Sequence, residues 1–105
     1  MAWVWLLLAA VFEIGWPLGF KLSQQPVWRS AGIAAAVVSM ALSGWLLWLA
    51  QREIPIGTAY AVWTGIGGAG TFVIGVLFFG DPPSAMRWIG AALIVGGVVT
   101  LKLSH

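Results

Sequence analysis

The chain has 105 residues, 61% hydrophobic and only 8% charged, a membrane composition far from the quarter-charged profile of a soluble domain. Its net charge of +2 comes from five scattered basic residues against three acids, so no basic stripe exists to neutralise a run of phosphates and no nucleic-acid partner is expected. With no cysteine, neither a disulfide framework nor a thiolate metal site is possible.

The first predicted element covers residues 3–21, a long apolar segment interrupted by Glu13. A span needs about 20 mostly apolar residues, and a charge near its centre costs roughly 2.5–3.5 kcal/mol even on mild insertion scales. Glu13 is therefore expected to face a protein interior or a water-filled path, where such residues mark transport sites. The segment lacks a basic n-region and runs into another helix candidate, so it reads as a mature span and not as a secretory signal. Helical spacing puts Ala10, Trp16 and Pro17 on the side of Glu13, and Gly15 and Gly19 on the other. Ala10 leaves room for a ligand, and Trp16 offers a flat wall with an indole donor. Pro17 has no N–H for the carbonyl of Glu13, four residues back. That oxygen then accepts from substrate, water or a neighbour, or the kink is satisfied by local adjustment.

A loop with Pro26 leads to the second predicted span, residues 30–50. Ser39 and Ser43 share one face of it; Ser39 is expected to bond back to the preceding turn, and Ser43 is a candidate partner for Glu13. Pro55 opens the third span, residues 56–79, where proline suits a first helical turn. Gly57, Tyr60, Trp63, Thr64 and Gly67 form a polar-aromatic stripe along it. The Tyr60 hydroxyl needs a partner inside the span, and a carboxylate is the natural one. Gly65 and Gly67, with Gly68 and Gly70, are expected to loosen the helix into a kink suited to alternating access.

Gly80-Asp81-Pro82-Pro83 forms a tight turn before the fourth span, residues 84–103. Gly90 and Gly97 lie seven residues apart on one face of that span, a seam for helix–helix packing. Trp3, Trp5, Trp28 and Trp88 fall near predicted membrane boundaries, as interfacial anchors do. His105 is a chain end and no ligand.

Together the elements describe an all-α, four-transmembrane-helix bundle in a single domain over residues 1–105. The first and third loops carry Lys21, Arg29 and Arg87; the other side carries Arg52 and Lys102. Three against two is almost no bias, and orientation follows such bias. Either one orientation is weakly specified, or the chain inserts both ways and the two forms pair antiparallel, which supplies a second Glu13. Four short helices enclose little interior, which also argues for a dimer.

One intramembrane acid, no intramembrane base, aromatic walls and hydroxyls describe a cation site. Burial disfavours a carboxylate's charge and a bound cation favours it, so proton and cation compete for one group. That competition is the minimal device of a proton-coupled antiporter. No nucleophile–base pair, metal cluster or phosphate loop is present, so no enzyme, cofactor or metal is expected. The GxG at residues 65–67 lacks the strand–turn–helix setting of a dinucleotide fingerprint.

These residues carry a resemblance. Glu13 in a short first helix, Lys21 at its end, the block from Pro55 to Gly67, the glycine pair of the fourth helix and the ending Leu101-Lys102-Leu103-Ser104 resemble the small multidrug resistance family over essentially the whole chain. Trp16, Ser43 and the run from Ile56 to Gly67 look like its guanidinium-exporter subtype. The resemblance implies an antiparallel dual-topology homodimer in the bacterial inner membrane, exporting guanidinium-type cations against protons. It implies both Glu13 side chains in one site, lined by Trp16, Ser43, Tyr60 and Trp63. Guanidinium is planar and binds carboxylate in a bidentate fork. Ala10 stands where that subtype commonly has glycine, Trp16-Pro17 where a nonproline residue is usual, and Gly44-Trp45 is atypical beside Ser43. Export of quaternary ammonium and other lipophilic cations, or service as a nontransporting subunit beside a paralogue, are the alternatives.

Overall fold

The computed structural model describes residues 1–104, so the expectation for His105 lies outside the described residues. Four long helices make up the chain: α1 (Ala2–Ser23), α2 (Arg29–Ala50), α3 (Ile56–Phe78) and α4 (Ala85–Ser104), with a 3₁₀ turn at Pro26–Trp28 leading into α2. Each is long and apolar enough to cross a membrane, and the protein is a multi-pass membrane protein.

Local chemistry explains the ends. Pro55 precedes α3 in an extended conformation (φ −54°, ψ 141°), with its missing N–H at a position that needs no helical donor. Gly80 ends the turn after α3 with φ +72°, a left-handed conformation available at little cost to glycine. That reversal lets the Asp81 N–H donate to the Gly75 carbonyl at 3.1 Å. Ser84 opens α4 by accepting from the Arg87 N–H at 3.3 Å, as an N-cap does.

Packing follows the small residues. A Cβ on Gly19 would lie 2.7 Å from the Gly32 carbonyl oxygen, and one on Gly32 would lie 2.6 Å from the Gly19 carbonyl oxygen. The α1 and α2 backbones thus touch directly, the close approach that paired small residues permit in lipid. One turn away, Gly15 faces the Ser39 hydroxyl. At the opposite end, Leu6, Ile54 and Val62 are fully buried in a cluster with Ala2, Ala50 and Ala59.

The helices form an open row more than a closed barrel of four. α1 packs between α2 and α3, α3 carries α4 on its far side, and α2 barely meets α3. The extents of 45 × 34 × 16 Å match a slab little thicker than one helix of about 10–12 Å diameter. No residue of α4 is buried. A Cβ added at Gly90 or Gly97 would meet nothing within 4 Å, so the expected seam is open in this chain.

Charged and aromatic groups gather at the helix ends. Lys102 lies 4.8 Å from the Trp3 ring and Arg52 4.6 Å from the Trp48 ring. At the other end Arg87 lies 5.6 Å from the Phe72 ring, which also meets Trp88 edge-on at 5.1 Å. Long basic side chains over interfacial aromatics suit a headgroup level.

Candidate functional site

Glu13 sits midway along α1, half-buried, on the side that meets α3. Its side chain lies directly on Gly67: a Cβ there would collide with Glu13 Cγ and lie 3.2 Å from its Cβ. Gly67 is thus the floor of the site. Only a residue without a side chain leaves space for the carboxylate between α1 and α3.

The Trp16 indole Nε1–H donates to Glu13 Oε1 at 2.5 Å, one turn along the same helix. The indole is held in turn by an edge-to-face contact with Phe20, with ring centroids 5.6 Å apart. A carboxylate offers about four lone-pair positions, so one indole leaves most of them for a ligand. The expected indole donor is therefore in place.

Ser43 is placed differently from the expectation that made it a partner of Glu13. It is 1% exposed, and its hydroxyl donates to the Ala9 carbonyl of α1 at 2.7 Å. It also accepts from Trp63 Nε1 at 2.8 Å. A hydroxyl has one proton to give, and here Ala9 takes it. Ala9 is one turn before Glu13, so this chain of bonds ties α2 and α3 to the α1 backbone just ahead of the carboxylate. Ser43 and Trp63 brace the site and do not touch the acid.

Tyr60 is 56% exposed, with its ring 5.6 Å from that of Trp63. The expected Tyr60–carboxylate bond is not formed within this chain. Glu13 is level with Gly67, seven residues farther along α3, which is about 10 Å of helix. Thr64 donates back to the Tyr60 carbonyl at 2.8 Å, the usual bond of a mid-helix threonine. Ala10 is 0% exposed; helix packing fills the room it was expected to leave for a ligand. Pro17 lines a cleft with Leu18, Lys21, Thr71, Gly75, Phe79 and Asp81, one turn beyond Glu13.

Of the glycines expected to loosen α3, Gly65, Gly67 and Gly70 admit neighbours. α3 is helical without a break from Ile56 to Phe78; Gly67 admits Glu13, and Gly65 admits Val98 and Ile94 of α4. Sequence reasoning missed the seat at Gly67 and the convergence of Thr71, Gly75 and Asp81 beside Pro17. Their signal was present as matching steps of four: 13, 17 and 21 on α1, and 67, 71 and 75 on α3.

A half-buried carboxylate with an indole donor and, among the described residues, no facing base can hold a proton or an organic cation. The comparisons bear on that chemistry. The family described as Small Multidrug Resistance protein matches residues 1–94. The chain is 41% identical over 107 residues to proteins called guanidinium exporter in Citrobacter freundii and Klebsiella oxytoca, covering 99% of this chain and 98% of theirs. It is 40% identical over 104 residues to the one in Yersinia pseudotuberculosis, covering 99% of each chain. On this full-length similarity, the chain belongs to the small multidrug resistance family.

Proposed function

We propose that the protein is a proton-coupled antiporter that exports guanidinium or substituted guanidinium cations across the bacterial inner membrane. The observation that carries this reading is the Glu13 carboxylate, seated on Gly67 and held by the Trp16 indole. Relatives named guanidinium exporter support the substrate class. A proton and a guanidinium cannot both neutralise one carboxylate, so each displaces the other, and exchange follows. The planar cation presents N–H pairs that match the free carboxylate lone pairs.

The site belongs to an antiparallel, dual-topology homodimer. The open row leaves Glu13 and the outward-facing Tyr60 without a covering helix on one side. The balanced loop charges allow either insertion. A second copy inserted the other way supplies a second Glu13 and closes the site, and the bare Gly90–Gly97 face of α4 is the seam along which the copies meet.

Proton-coupled cation uptake into liposomes containing the purified protein, read as the change in internal pH, tests this reading. Guanidinium should drive it, and uptake of quaternary ammonium alone would replace the proposal by broad drug export. No coupled pH change with either cation would refute transport by this chain alone and favour a nontransporting subunit.

A further inference from the structure

The cleft beyond Glu13 has a chemistry of its own. Its volume is about 230 Å³, and its walls come from Pro17, Leu18 and Lys21 of α1, Thr71 and Gly75 of α3, and Phe79 and Asp81 after it. Because α1 and α3 run in the same direction, their steps of four stay level. Glu13 lies on Gly67, Pro17 and Thr71 share the next level, and Lys21, Gly75 and Asp81 the last. The cleft thus starts one helical turn beyond the central carboxylate, at Pro17 and Thr71, and runs to the Lys21 end of the helix row.

The Asp81 side chain is aimed there by two glycines. Gly80 at φ +72° turns the chain back, and the Asp81 N–H is anchored on the Gly75 carbonyl at 3.1 Å. The carboxylate then rests over buried Gly75, where an added Cβ would collide with Oδ2 and lie 3.1 Å from Cγ. A helix C-terminus carries negative partial charge and is destabilised by a nearby carboxylate. Asp81 is therefore poorly placed to stabilise α3 and well placed to attract a cation. Among the described residues, the Lys21 ammonium is the one cation lining this cleft.

We propose that Asp81 is an outer station for the transported cation on its way to or from Glu13, in a cleft that Lys21 also lines. The inference rests on the transport reading. A station on the path speeds arrival and departure together, because it lowers a barrier without touching the final bound state. The Lys21 ammonium lines the same cleft and repels an arriving cation, so its removal acts in the opposite direction.

The test is stopped-flow mixing of the reconstituted protein with guanidinium or tetrapropylammonium, following the part of the tryptophan signal that Trp16→Phe removes. In Asp81→Asn, association and dissociation rates should both fall by about threefold to tenfold at low salt, an effect that shrinks as salt screens the mouth. Equilibrium affinity should stay near wild type. Lys21→Met should raise both rates. Gly75→Ala, which displaces the carboxylate sterically, should reproduce Asp81→Asn, and Asp81→Glu should restore most of the rate. Unchanged rates in Asp81→Asn, or weaker affinity at an unchanged association rate, would overturn the station and leave the function standing. A wild-type protein with no Glu13-dependent signal for either cation would refute the function and the station together.

Discussion

Replacing Gly67 by alanine puts a methyl group where the Glu13 side chain now lies. The new carbon would overlap Glu13 Cγ and sit 3.2 Å from Cβ and 3.7 Å from Cδ. Glu13 must swing away or α1 and α3 must separate, and either movement breaks the alignment with Trp16 Nε1. Overpacking of this size costs about 1–3 kcal/mol. If that strain falls on the bound geometry, affinity drops by roughly fivefold to 150-fold at 1.4 kcal/mol per decade. Gly68→Ala is the matched control, since nothing lies within 4 Å of a Cβ there and alanine improves helix propensity by up to about 1 kcal/mol. The assay is guanidinium binding by calorimetry in detergent, with circular dichroism and size-exclusion profiles to confirm folding. A folded Gly67→Ala protein that binds like wild type would refute the seat.

Glu13→Gln should abolish proton-coupled uptake while leaving the fold intact, and coupled exchange that survives it would contradict a site shared by proton and cation. Ser43→Ala removes the donor to the Ala9 carbonyl and the acceptor for Trp63 Nε1. Leaving buried polar groups unpaired costs about 1–3 kcal/mol, so thermal melting should shift down and Trp63 emission should change; a wild-type melting curve would count against the bracing role. Gly19→Ala forces a carbon to 2.7 Å from the Gly32 oxygen and 2.8 Å from the Ala36 nitrogen. Backbone atoms cannot rotate aside, so destabilisation by about 1–3 kcal/mol is expected in a melting series, and an unchanged midpoint would show that α1 and α2 are not in backbone contact. Pro17→Ala restores an N–H to the Glu13 carbonyl; unchanged binding and transport would remove any substrate role for that oxygen.

Four apolar segments, the breakers between them and the cost of Glu13 were all readable along the chain, because each depends on local composition or on one helix's own period. The same period correctly turned Gly15 and Gly19 away from Glu13 and toward another helix, and put the Trp16 indole within reach of the carboxylate. The family likeness was legible for the same reason: its motifs are contiguous words on single helices. The partners of Ser43 and Tyr60 within the chain were not legible, since level and rotation between helices are not local properties. Ser43 is drawn to the Ala9 carbonyl, and Tyr60 falls two turns short of Glu13.

By itself the sequence determined that this is a membrane protein of four helices with one costly acid near the middle of the first. Tertiary structure alone decided that the helices pack as an open row, that Gly67 seats the acid, and that Asp81 folds back beside Lys21. The physical reason is axial register. Backbone contact at Gly19 and Gly32 holds α2 against α1, and the fit of Glu13 onto Gly67 sets α3 level with it. Spacing within one helix names the face that packs, but which residue of the next helix it meets is decided only when the two helices come together.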